Sequence, residues 1–134
     1  MTLQFQVNLP LQTVLENLTN MQKYVSFHPV ITKIDQIGGN TYLVHETLKF
    51  GPIPVSFTYP VTVEKQQNPN KVIFEASVMK INHIKMEFVL IEEQGITQIT
   101  ETITFKTLLP IKTLMANIFK AQHTQLFKNM NARE

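Results

Sequence analysis

Cysteine is missing from this 134-residue chain, which excludes disulfides and thiolate chemistry. Charge is scarce as well. Asp, Glu, Lys and Arg make up 16% of the residues, where about a quarter is usual for a soluble domain. Hydrophobic residues make up 43%, so much of the chain must point inward or line an apolar cavity. The net charge of +2 is small and scattered, with no basic run and no aromatic–basic interleaving, so nucleic acid is not an expected partner. No window is apolar enough to span a bilayer, and the best candidate in length, the last helix, carries three lysines. The opening residues Met1 to Gln6 lack the charged and apolar segments of a secretion signal. The expectation is a cytoplasmic protein without an integral membrane segment. No repeat, linker or low-complexity stretch divides it, so residues 1–134 read as one domain. At that length it can bury roughly two-thirds of its unfolded surface.

What is present is organised around the stretch from about Leu108 to Met130. At 100° per residue, Ile111, Leu114, Met115, Ile118, Phe119, Leu126 and Met130 share one broad side of a helix. Lys112, Lys120 and Lys128 fall at its edges or off it, and so does Phe127, which reads as an exposed aromatic or a dimer contact. Pro110 suits a first helical turn, where its missing N–H would have had no partner. Such a helix is about 30 Å long. Its apolar stripe needs an equally long apolar surface to cover it.

The rest of the chain supplies that surface. Leu3, Phe5 and Val7 alternate with polar residues, as on a strand with one wet face. Pro10 then opens a short helix with Leu11, Val14, Leu15 and Leu18 on one side. Asn20 caps a second, holding Met21, Tyr24, Val25 and Phe27, which His28-Pro29 ends. From Val30 the period is two for about 75 residues. Strands run from Val30 to Ile37, Thr41 to Phe50, Val55 to Lys65, Val72 to Val78, Ile81 to Glu92 and Ile96 to Lys106. Gly38-Gly39-Asn40, Gly51-Pro52-Ile53-Pro54, Gln67-Asn68-Pro69-Asn70 and Glu93-Gln94-Gly95 are turns or loops between them. Links this short force antiparallel hairpins. Pro60 cannot donate to a ladder, which places its strand at an edge or at a bulge. The fold class expected is α+β: a curved seven-stranded antiparallel sheet around a long C-terminal helix, with two short helices between the first two strands.

This order resembles the Bet v 1-like or START-related superfamily, which includes polyketide cyclase/dehydrase and lipid-transport proteins. The resemblance runs over nearly the whole chain. It is carried by the first strand and its break at Pro10, Tyr24 with Phe27-His28-Pro29, the Gly38-Gly39-Asn40 hairpin, the threonine-rich last strand and the closing helix. It implies a helix-grip fold with an apolar cavity between sheet and helix. It also implies functions from passive binding of lipids, sterols or polyketides to ring cyclisation, with no universal catalytic set. Some members have a longer glycine-rich loop between the second and third strands; the short turn here speaks against phosphate binding there.

Two carboxylates stand out. Glu101 shares a strand face with Ile99, Ile103 and Phe105, and Glu46 with Tyr42, Val44, Leu48 and Phe50. A carboxylate among apolar groups is costly unless paired or protonated, and such a group can bond a ligand oxygen or act as an acid or base. A register slip of one residue would instead turn both to water. Gln122 lies at the centre of the helical stripe, where a neutral amide could orient a polar ligand end or be satisfied by sheet backbone. The candidate ligand-binding set is Tyr42, Glu46, Tyr59, Phe74, Phe88, Glu101, Ile103, Met115, Ile118, Phe119 and Gln122. The four histidines, His28, His45, His83 and His123, have no metal-ligand spacing, so no metal or cofactor is expected. His28 reads as a capping residue. Phe50, Pro52, Ile53, Pro54, Leu108 and Leu109 could rim the cavity mouth.

Three functions stay open. The first is a binder or carrier of a small hydrophobic molecule, monomeric or weakly dimeric. The second is a cyclase or dehydratase using Glu101 or Glu46 as acid or base. The third is an interaction module that packs on another protein through its apolar rim.

Overall fold

A computed structural model describes residues 1–133; Glu134, the last residue of the expected domain, lies outside them. The first strand, β1 (Thr2–Val7), leads into α1 (Leu11–Thr19) and α2 (Met21–Phe27). Six strands follow: β2 (Ile31–Gly38), β3 (Thr41–Phe50), β4 (Ile53–Gln66), β5 (Asn70–Val78), β6 (Asn82–Glu93) and β7 (Ile96–Thr107). The long helix α3 (Lys112–Arg133) closes the chain. All pairings are antiparallel, in the order β1-β7-β6-β5-β4-β3-β2. The six later strands form a meander because their links are short, and β1 returns to the far edge beside β7. This is the expected α+β helix-grip fold.

Local chemistry explains the breaks. The Asn20 side chain accepts from the backbone N–H groups of Gln22 and Lys23 at 3.1 and 3.2 Å, capping α2 where α1 stops. The His28 ring takes over at the other end. Its Nδ1 accepts from the N–H groups of Val30 and Ile31 at 3.3 and 3.2 Å, carrying the chain into β2.

Pro60 does not lie on an edge strand, since β4 is interior to the sheet. The first part of β4 pairs with β3 alone; pairing with β5 begins at Val61 opposite Ala76. At Pro60 the strand is therefore locally an edge, and the missing N–H breaks no ladder. The hairpin before it is tighter than expected. Phe50 pairs with Ile53, so the turn is Gly51-Pro52, with Gly51 at φ 63°, and Ile53 and Pro54 belong to the strand.

The helix lies across the sheet but is turned from the expected face. Phe119, His123, Leu126, Phe127 and Met130 are buried, while Leu114 is 51% exposed and Ile118 half-buried. The covered stripe is thus rotated by roughly 80° at 100° per residue. Phe127 is neither exposed nor a dimer contact: its ring sits 4.7 Å from Phe5 and 6.0 Å from Phe88. Pro110 stands just outside the helix rather than in its first turn. The second half of α3 joins Val7, Val14, Leu18, Val72, Phe88 and Leu90 in one core. Its first half lies over open space.

Candidate functional site: a cavity under the helix

That space is a cavity of about 520 Å³. Its wall comes from the inner faces of β2 to β7, from α2 and from the first half of α3. Most of it is aliphatic or aromatic. The polar side chains that reach it are Tyr24, His28, Glu46, Ser56, Tyr59, Asn82, Gln122 and His123, and among the described residues no lysine or arginine lines it.

Alternation along β3 and β4 sets the first polar pair. Val44, Glu46, Leu48 and Phe50 face inward, as do Val55, Phe57, Tyr59 and Val61 on the neighbouring strand. The Tyr59 hydroxyl donates to Glu46 Oε1 at 2.7 Å. Burial raises the Glu46 carboxyl above the usual range, against the Tyr59 hydrogen bond and the charge of His123, which pull it down. Burial, then the Glu46 charge, also pushes the Tyr59 phenol well up.

The second pair joins sheet to helix. Glu101 on β7 is fully buried between Ile99 and Ile103. Its carboxylate straddles Nδ1 of His123 on α3, with oxygens at 2.7 and 2.6 Å. His123 is 1% exposed and forms part of the cavity wall. A carboxylate at Nδ1 holds that hydrogen in place and leaves Nε2 as the ring's working nitrogen. Nε2 has no hydrogen bond among the described residues.

Tyr24 and His28 extend this cluster. The Tyr24 ring stacks on Phe74 at 5.2 Å and lies 5.4 Å from His28, which meets His123 edge-on at 6.3 Å. Burial, then the charges of Glu101 and Glu46, hold the Tyr24 phenol far above its ordinary value, so it stays a neutral donor. Burial, then the charge of His123, lowers His28 to about 3. Below pH 6.5 the unfolded chain therefore takes a proton that the folded one refuses. The His28 contribution to stability is complete above pH 6.5 and is lost as the pH falls toward 3. Glu46 works the other way, its contribution being present in acid and lost as the pH rises through its raised value. The expected result is a wild-type stability that falls between pH 7 and 5 by up to about 1 kcal/mol per pH unit. In His28→Asn, whose amide oxygen can still accept from Val30 and Ile31, that slope should flatten; urea unfolding across this range measures it.

Of the residues singled out in the sequence, Glu46, Tyr59, Phe74, Met115, Phe119 and Gln122 line the cavity. The others lie off it. Tyr42 packs against the core beyond Val44, Phe88 and Ile103 are buried in the sheet, Glu101 is paired with His123, and Ile118 is half-buried on α3. Sequence reasoning missed Tyr24, His28 and His123 as wall residues. His123 follows Phe119 by one helical turn, which is the signal that would have found it. Among the described residues no group of acidic and histidine side chains could hold a metal ion.

Phe50 and Val55 on the β3–β4 hairpin and Met79 on the β5–β6 turn both line the cavity and are exposed, so its edge there is apolar. Ile53, Leu108, Leu109 and, on α3, Leu114 are exposed as well, Leu108 at 87%, but do not line it. Met79 and Lys80 adopt left-handed φ values of 57° and 61°, a strained choice for such side chains. Lys80→Gly should relieve part of that strain and raise stability by up to about 1 kcal/mol in urea unfolding.

Residues 4–131 match the family model for CoxG, a carbon monoxide dehydrogenase subunit. The chain belongs to the CoxG family. A comparison with curated proteins found no match. Solved structures share the fold at low identity. A conserved protein from Geobacillus kaustophilus has a TM-score of 0.80 and 12% identity, over 98% of this chain and 91% of its own. A START superfamily protein from Mycobacterium smegmatis has 0.76 and 10%, over 99% and 94%. The Zhui aromatase/cyclase from Streptomyces sp. R1128 has 0.72 and 12%, over 98% and 90%. This CoxG-family chain therefore has the Bet v 1-like and START fold that its sequence resembles. No helix among its described residues is long and apolar enough to cross a membrane.

Proposed function

We propose that this CoxG-family protein binds, and carries within the cytoplasm, a small hydrophobic molecule of lipid, sterol-like or polyketide-like kind. The single observation that supports this most is the cavity itself: about 520 Å³ of largely apolar space, within the range of small-molecule sites. Burial of apolar surface at about 25 cal/mol per Å² would supply the driving force. Tyr59, Phe74, Met115, Phe119 and Gln122 would touch the ligand, and Glu46 would offer a polar contact. Tyr42, Phe88, Ile103 and Ile118 would shape the wall from behind, and Glu101 would act through His123. The exposed rim of Phe50, Ile53, Met79 and Leu108 would pass the ligand in and out. The family's description names a component of carbon monoxide dehydrogenase, and the same rim would face a larger enzyme of that sort. Native mass spectrometry of the purified protein, with titration of the uncharged dye Nile red, tests the reading. A retained small molecule and saturable dye fluorescence are expected. An empty protein that leaves the dye dark would refute it.

A second reading, acid–base catalysis on a polyketide-like substrate, is favoured by the oriented His123 on the wall. Loss of cyclisation or dehydration in Glu101→Gln, with ligand binding kept, would support it. Unchanged turnover in that variant would exclude Glu101 from it.

A further inference from the structure

The polar inventory of the cavity restricts what its ligand can be. The one carboxylate on the wall, Glu46, already accepts from Tyr59, and Glu101 behind the wall is bonded through Oε1 to His123. The Tyr24 side chain is different. It is 4% exposed, it lines the cavity, and its hydroxyl has no hydrogen bond among the described residues. A hydroxyl that faces an apolar cavity without a protein partner is free to donate to a ligand acceptor, where water is scarce and the bond counts for more than in solvent. Nε2 of His123, one ring beyond His28, complements it as an acceptor on the same wall. No lysine or arginine among the described residues lines the wall to neutralise an anion, and Glu46 and Glu101 stand close enough to Tyr24 for their charges to act on its phenol. A carboxylate or phosphate inserted here would be stripped of water with no counter-ion and two acidic neighbours.

We infer that the cavity takes an uncharged apolar molecule, head inward, whose carbonyl or hydroxyl oxygen accepts from the Tyr24 hydroxyl, a ligand hydroxyl donating in turn to Nε2 of His123, and that it discriminates against fatty-acid and phosphate anions. This inference rests on the binding reading above and names the class of ligand for the same site. An anion could be held only the other way round, tail inward, with its head at the mouth. There Lys49, Lys80 and Lys112 each follow or precede a wall residue in the chain, beside Phe50, Met79 and Ile111.

Displacement of Nile red by chain-matched probes at pH 8 separates these cases. The probes are decane, 2-decanone, methyl decanoate, decanoate and decylamine. The ketone and ester should displace the dye at concentrations at least about thirtyfold below those needed for decanoate, given the cost of burying an unpaired charge. Tyr24→Phe keeps the ring that stacks on Phe74 and removes the donor. It should weaken the ketone and ester about tenfold, the worth of one hydrogen bond, and leave decane unchanged. Equal binding of ester and carboxylate, tighter binding of decylamine than of the ketone, or a Tyr24→Phe protein that treats every probe as wild type does would overturn the inference while the binding reading stood. Failure of every probe, with no dye signal to displace, would remove both.

Discussion

Glu101→Leu and His123→Leu should each lower stability by about 3–5 kcal/mol, while the variant carrying both should lower it far less. The reason is asymmetry. Both groups are out of water, at 0% and 1% exposure, and His123 Nδ1 lies 2.6–2.7 Å from the two Glu101 oxygens, hydrogen-bonded to Oε1. Removing one leaves a buried charge or ring N–H with nothing to replace its lost hydration. Removing both leaves a gap between β7 and α3, beside Phe88 and Phe119, that two leucines can fill. In a domain of this size a single variant should melt roughly 10–15 °C below wild type. Urea unfolding of the four proteins completes the cycle. If the double variant loses as much as the two singles together, the pair is not coupled and the structure of this corner is wrong.

The leucine pair also separates architecture from function. Its helix would still be anchored through Leu126, Phe127 and Met130, which belong to the same core as Val7 and Phe88. A folded protein that has lost its preference for an oxygen-bearing ligand over a plain hydrocarbon is therefore expected. The buried pair costs more to break than it contributes over an apolar replacement. Its retention on a cavity wall fits a role in ligand recognition better than a role in holding the helix down.

Much of the fold was legible because alternation of period two, once set at β2, leaves little choice. Short turns force the meander, and the inward residues of β3, β4 and β7 follow from it, Glu46 and Glu101 included. The helix face was harder. Periodicity places apolar residues on a side, but it does not say which part of the helix has a floor beneath it. Over the cavity nothing presses on α3, so Leu114 can point outward, while farther on Phe127 is drawn between Phe5 and Phe88. Pairing across the fold was not readable either. Glu101 and His123 lie 22 residues apart, and no local pattern joins them. Tyr24 looks like one more core aromatic of an amphipathic turn. Its unpartnered hydroxyl becomes visible only when β3, β7 and α2 are brought together.

Ala76→Phe should weaken ligand binding at least about tenfold and leave the fold intact. Ala76 faces the cavity from β5, opposite Val61 on β4 and Ile84 on β6, where its small side chain leaves the wall set back. A phenyl group there occupies space that the native protein leaves open, and it does so on the strand pairing that already carries Phe74 inward. In a close-packed core such an enlargement costs about 1–3 kcal/mol. In a cavity of about 520 Å³ the ring meets no wall it must displace, and its own burial contributes about 1.5–3 kcal/mol. The expected outcome is a melting temperature at or above wild type, together with at least a tenfold weaker displacement of Nile red by 2-decanone. A large drop in stability would mean that the cavity is filled by side chains in solution. Unchanged ligand affinity would mean that the binding space lies elsewhere, and the exposed rim of Phe50, Ile53 and Leu108 would then be the next surface to test.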